Sequence, residues 1–391
     1  MKSLLLFLLA LIFIHPFTAF SKEPMKGLSL YALPGASYKS GQGFEYGVRA
    51  YIIQYGDGTF HPYQWNLTLH ASKTTTNTAN FFLFWDRPGI FGRNTRMDVF
   101  AQFERYLSED YYGLGNSVRY KPGFAEQTSA NYLNDKYYQY HHEWTALLVN
   151  YQFPVIKETI RGLAGIGFYH NSIIKYAAPN KLVEDSPFGL SGGNTNYIRG
   201  GMIYDTRDEE TVTTRGAWTD LLVEIATPLL KSDYSYSRIT FTDRRYFSLH
   251  PRFVYAQRLF YETMPGDPPF YEMAILGNSF RRRDGLGGAY SLRGVPRDLF
   301  VGKDKFIANL ELRCEVTKKT ILKQPLTFYV HFFTDAGKVW LKHDQKSFDH
   351  LHATQGIGFH VRWKKDVVAS LDIGRSAFQD YAIYASFGNL F

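Results

Sequence analysis

The chain has 391 residues, with 44 Lys and Arg against 36 Asp and Glu for a net charge of +8, and Phe, Tyr and Trp make up 17 % of it, about twice the share in an ordinary globular protein. Its charges are scattered, which argues against long disorder and a coiled coil, and no long basic run or binding module points to a nucleic-acid partner. Cys314 is the single cysteine, so neither an intrachain disulfide nor a cysteine metal cluster is available.

Met1-Lys2-Ser3 leads into an apolar run from Leu4 to Ile14, ended by His15-Pro16 and followed by the small-residue exit Ala19-Phe20-Ser21. The pattern predicts a cleavable signal peptide over 1–21 and export of 22–391. The run is short of the roughly 20 residues a spanning helix needs, and no later segment is long and apolar enough either.

From Gly43 the pattern has period two: Phe44, Tyr46, Val48, Ala50 and Ile52 alternate with Gly43, Glu45, Gly47 and Arg49, the mark of a strand with one apolar face. Strands are predicted over 27–35, 43–55, 60–72, 77–87, 95–107, 141–153, 160–175 and 196–205, then 216–228, 236–248 and 251–263. The next, 304–316, sets Phe306, Ala308, Leu310, Leu312, Cys314 and Val316 against Lys305, Asn309, Glu311, Arg313 and Glu315. Three more follow over 325–335, 352–363 and 366–375, and the last, 380–391, places Tyr381, Ile383, Ala385, Phe387 and Phe391 on one face.

Soluble sandwiches alternate too, but here no helical segment is long enough to cover a sheet, and the apolar faces are rich in Phe and Tyr, as in a lipid-facing band with aromatic girdles. An exported chain of such strands must leave no open edge in lipid. The expected fold is therefore all-β, a 16-stranded antiparallel transmembrane barrel in the bacterial outer membrane. Alternate connections are short (56–59, 88–94, 154–159, 249–250, 364–365) and the others often long (108–140, 176–195, 264–303, 336–351), matching periplasmic turns and extracellular loops.

The longest connection contains Gly285-Leu286-Gly287-Gly288-Ala289-Tyr290-Ser291-Leu292-Arg293-Gly294-Val295-Pro296-Arg297; Asn309-Leu310-Glu311-Leu312-Arg313 and Phe333-Thr334-Asp335-Ala336-Gly337-Lys338-Val339-Trp340 lie on the next two strands. Together these segments resemble the BamA/TamA superfamily of outer-membrane assembly and secretion barrels, the bacterial surface antigen family. The resemblance implies that a long sixth extracellular loop folds into the lumen and that its tip, Arg293-Gly294, docks on Glu311 and Asp335. By the alternation of 304–316, and that of Leu326, Phe328, Val330 and Phe332 with Thr327, Tyr329, His331 and Asp335, both carboxylates face the lumen, where a guanidinium could make charge-assisted, bidentate contacts. Val295 stands where the family has Phe or Tyr. Gly200-Gly201-Met202-Ile203-Tyr204-Asp205-Thr206-Arg207-Asp208 with Thr214-Arg215-Gly216 is similar to a second family segment, with Thr213 in place of its proline. Tyr111-Tyr112-Gly113-Leu114-Gly115-Asn116 is similar to an extracellular segment of smaller members. The expected first strand begins so soon after residue 21 that no POTRA domain is expected.

Little other chemistry is legible. Gly189-Leu190-Ser191-Gly192-Gly193 fits a nucleophile elbow but lies in a loop without the following helix, so chance explains it better. His350 with His352, and His141-His142, lack identifiable further ligands, and Arg281-Arg282-Arg283 reads best as a solvated loop run, with lipopolysaccharide phosphates or the lumen as the alternative. No enzyme activity, cofactor or metal is expected. The expected function is outer-membrane biogenesis or protein/lipid translocation alongside a separate periplasmic partner; the alternatives are a plugged pore and a surface adhesin or antigen. Outer-membrane lipid and lipopolysaccharide are the expected surroundings, and Phe387 and Phe391 are the expected signal for the assembly machinery that inserts the chain.

Overall fold

The computed structural model describes residues 26–387 apart from 40–42, 61, 93, 119, 158, 210–211, 281, 322–323 and 364–366. The expected signal peptide and Phe391 lie outside the described residues, as does the side chain of Phe387.

Sixteen strands form one closed antiparallel barrel. They are β1 Leu28–Lys39, β2 Gly43–Gln54, β3 Trp65–Thr74, β4 Ala79–Pro88, β5 Arg96–Asp110, β6 Gln139–Ile156, β7 Ile160–Lys175 and β8 Tyr197–Asp205. The second half is β9 Gly216–Ala226, β10 Tyr236–His250, β11 Phe253–Thr263, β12 Asp304–Ile321, β13 Gln324–Trp340, β14 His352–Trp363, β15 Val367–Arg375 and β16 Ala382–Phe387. Each strand pairs with its sequence neighbours, and β1 closes on β16 through Tyr38 opposite Ala385 and Lys39 opposite Tyr384. Closure satisfies the backbone groups that an edge strand would expose to lipid.

Alternation decides which face is which. On β12, Lys305, Ile307, Asn309, Glu311 and Arg313 are buried inward while Leu310, Leu312 and Val316 are exposed outward. Along β2, Tyr46 and Val48 are likewise exposed. Apolar side chains outside and polar ones inside are the inverse of a soluble domain and suit a lipid surround. No described helix is long and apolar enough to cross a membrane.

Several strands run past their predicted ends. β6 reaches Ile156 through Pro154, tolerated because the register shifts between Pro154 and Ile156. β1 continues to Lys39 through Pro34-Gly35, both paired in register with β2. The long connections 111–138, 176–196 and 264–303 gather at one end of the barrel; short turns such as 251–252 lie at the other.

Inside, the 264–303 loop supplies an apolar core of its own. Leu286, Leu292, Val295, Leu299 and Phe300 are fully buried and pack with Ile307 and Val339 of the wall and with Tyr112, Tyr137 and Tyr138 of the 111–138 loop. Gly115 N donates to Val301 O at 2.7 Å, and Asn116 Oδ1 accepts from Val339 N at 3.0 Å. The segment 111–116 is thereby stitched to both the inner loop and the wall.

Candidate functional site

Arg293, at the tip of the 264–303 loop, is 1 % exposed. Its Nε and Nη2 donate to Asp335 Oδ2 and Oδ1, both at 2.9 Å, and its backbone N donates to Oδ2 at 3.0 Å. Nη1 donates to Glu311 Oε1 at 2.7 Å and to Asp372 Oδ2 at 3.3 Å. The guanidinium also lies over the Phe333 ring, 3.6 Å from its centroid, where cation and quadrupole attract. Glu311 stands on β12, Asp335 and Phe333 on β13 and Asp372 on β15, so one side chain ties three wall strands.

Gly294 has φ +108°, and a Cβ there would lie 2.8 Å from Arg375 N; glycine is required on both counts. Its N donates to Tyr384 OH at 3.1 Å and its O accepts from Ser376 Oγ at 2.6 Å. Asn309 bridges tip and wall, donating to Ser291 O and Asp335 Oδ1, each at 2.7 Å. Val295 fills the apolar position beyond the glycine and is 1 % exposed.

A second buried network holds the outer part of the loop. Arg238 on β10 donates to Glu262 Oε1 at 2.9 Å and to Glu272 Oε2 at 2.8 Å, while Lys305 pairs with Glu262. Arg282 donates to Glu272 Oε1 at 2.6 Å and stacks on Tyr169, with its Cζ 4.1 Å from the ring centroid. Burial pushes the Glu272 carboxyl up, but Arg282 and Arg238 outweigh it and hold it at about 2. The solvated reading of the basic run is therefore corrected for Arg282, whose side chain is buried in this ion-pair cluster; Arg281 lies outside the described residues.

Other sequence candidates are accounted for by local bonds. His141 Nε2 lies 3.1 Å from Glu143, His142 Nε2 lies 3.2 Å from Asn171, and His352 stacks on Phe300 at 3.8 Å. Gly189–Gly193 is a turn closed by Gly192 N on Gly189 O, with no helix after it. In the 206–215 turn Asp208 accepts from Thr214 N and Arg215 N, and Thr213 Oγ1 donates to Glu209 O at 2.7 Å; a threonine serves where the family segment has proline.

Sequence reasoning missed Asp372, Phe333 and the His331–His360 pair beside them. His360 Nε2 lies 3.3 Å and His331 Nε2 3.4 Å from Asp372 Oδ1. The inward phase of β13, β14 and β15 would have placed all three histidine and aspartate side chains in the lumen.

Residues 64–371 match the Omp85 superfamily domain. The chain belongs to the Omp85 superfamily. It is an integral outer-membrane barrel, with its long loops extracellular and its short turns periplasmic as such barrels have them. Among solved structures it is similar to BamA from Haemophilus ducreyi lacking POTRA domains 1–3, with 17 % identity and a TM-score of 0.58 over 93 % of this chain and 70 % of that one. CdiB from Escherichia coli is similar at 12 % identity and TM-score 0.58, over 95 % of this chain and 64 % of that one. CdiB from Acinetobacter baumannii gives 11 %, 0.53, 93 % and 60 %. The chain thus spans less than two thirds of either CdiB. No curated protein matches it.

Proposed function

We propose that this Omp85 barrel acts in outer-membrane biogenesis or in translocation of protein or lipid, together with a separate periplasmic partner, and that the Arg293 tip locks the sixth extracellular loop inside the lumen. The observation that carries the reading is the tied-down lumen: Arg293 of the inner loop holds Glu311, Asp335 and Asp372 of three wall strands, in a barrel closed by β1 on β16. A barrel fastened internally can pass or template a client where its first and last strands meet, since backbone freed by parting those two strands can be matched by an incoming strand.

The test is a seam lock. Tyr38 and Ala385 are directly opposed, so Tyr38→Cys with Ala385→Cys, in a Cys314→Ser background, can form a cross-strand disulfide. In a strain depleted of the native chain, the reduced variant is expected to restore outer-membrane composition and the oxidised one to fail. Equal restoration by both overturns action at the seam.

A plugged pore is the second reading, favoured by a lumen cavity of about 230 Å³ lined by Glu45, Arg49, Glu104, Arg282 and Arg297 among others. Under that reading the locked loop is the gate rather than a brace.

A further inference from the structure

We propose that His331, His360 and Asp372 form a divalent transition-metal site on the periplasmic side of the Arg293 anchor, with one coordination position left to water. This binding site is independent of the translocation reading, because it is built from wall strands alone.

The placement follows from register. Gly358 on β14 lies opposite both His331 on β13 and Asp372 on β15, and a Cβ at Gly358 would sit 2.0 Å from His331 Cε1 and 2.4 Å from Asp372 Oδ1. The missing side chain is what lets the imidazole and the carboxylate meet across the middle strand. His360, two residues further along β14, closes the group, and the candidate ligand atoms all lie within 4.8 Å of one another.

The donor types and both separations from Asp372 fit. Two ligands about 2.0–2.1 Å from a tetrahedral zinc stand about 3.3 Å apart, and the separations from Asp372 Oδ1 to the two imidazole nitrogens are 3.3 and 3.4 Å. Two imidazoles and a carboxylate are the donors of open zinc-type sites. Neither ring nitrogen of His331, a residue 0 % exposed, has a hydrogen-bond partner among the described residues, an unusual state for a buried imidazole. Asp372 divides its work: Oδ2 receives Arg293 and Oδ1 faces the histidines. A cavity of about 60 Å³ lined by His331, His360 and the periplasmic turn residues Thr213, Thr214 and Arg252 exceeds the roughly 10–15 Å³ that one water requires. It supplies both a fourth ligand and a way in.

The competing account is metal-free, with His360 donating to Asp372 and His331 simply enclosed. Cobalt(II) separates the two. The full barrel, purified in detergent without a histidine tag, is titrated with cobalt(II) and followed by visible absorption, then challenged with zinc(II). The expected result is one equivalent with tetrahedral-type bands, displaced by zinc, and affinity at least about tenfold weaker in His360→Ala and in His331→Ala; His343→Ala, in an exposed loop, leaves it unchanged. Heat-modifiable gel mobility checks that each variant is folded, and His360→Gln replaces any alanine variant that is not. Wild type without such bands at about 1 mM cobalt, a concentration far above a built site's Kd, or binding equally strong in the His331 and His360 variants, overturns the site.

Discussion

Arg293 and Asp335, 42 residues apart, share three hydrogen bonds, two from the guanidinium and one from the backbone N of Arg293. The side chain is thus fixed together with the turn that carries it. Removing the guanidinium leaves Asp335 buried without its cation, while Glu311 keeps Arg313; loss of one partner costs about 3–5 kcal/mol in buried pairs. Arg293→Ala is expected to lower the heat-modification temperature of the folded barrel and to make the 264–303 loop susceptible to trypsin in intact membranes. Arg293→Lys, a point charge without the fork geometry, is expected to recover only a minor part. Full recovery by lysine contradicts the bidentate account.

Gly374 on β15 is the complementary test, because it alters the wall and leaves the charges alone. A Cβ at this position would lie 2.4 Å from Arg293 O, so Gly374→Ala must displace the tip or the strand. We expect the same loop proteolysis as in Arg293→Ala with the barrel still folded. Protection equal to wild type would mean that the tip does not rest against β15.

Much of this was legible in the sequence. Sixteen alternating segments mark sixteen strands, because in a lipid-facing barrel every spanning stretch must carry the two-faced pattern. The predicted ends of two strands fall short of the ladder: Thr317–Ile321 of β12 and Ala336–Trp340 of β13 continue it. Arg293, Glu311 and Asp335 could be joined because they sit in three ordered segments. Asp372 could not, since a single aspartate on β15 acquires meaning only when register carries it across Gly358 to His331. Arg282 was hidden by composition, as a basic run looks solvated until Glu272 and Glu224 are seen facing it.

Glu272 anchors the outer part of the loop. Glu272→Gln removes the charge facing Arg238 and Arg282 and is expected to destabilise the barrel by an amount similar to Arg293→Ala, about 3–5 kcal/mol, while the tip remains docked. Heat modification together with trypsin sensitivity measures both. Proteolysis at the tip comparable to Arg293→Ala would merge the two networks into one.

Asp298 gives the loop a pH dependence. Burial pushes its carboxyl up to about 7, and Gly285 N donates to it at 2.6 Å. A native pKa above the unfolded value means that the folded state binds the proton more tightly. The contribution is therefore complete below the unfolded pKa near 3.8 and is lost as pH rises toward about 7. Asp298→Asn, which tolerates the φ of +52° at this position, is expected to show a shallower fall in melting temperature across that window. Parallel profiles for the two proteins would contradict the assignment.

The most direct measurement of the central claim is single-channel conductance of the purified barrel in planar bilayers, comparing wild type with Arg293→Ala. A loop locked in the lumen predicts a wild type that is closed for most of the record and a variant with frequent, larger openings. Identical conductance in the two would contradict the Arg293–Glu311–Asp335 lock as the element that closes the barrel.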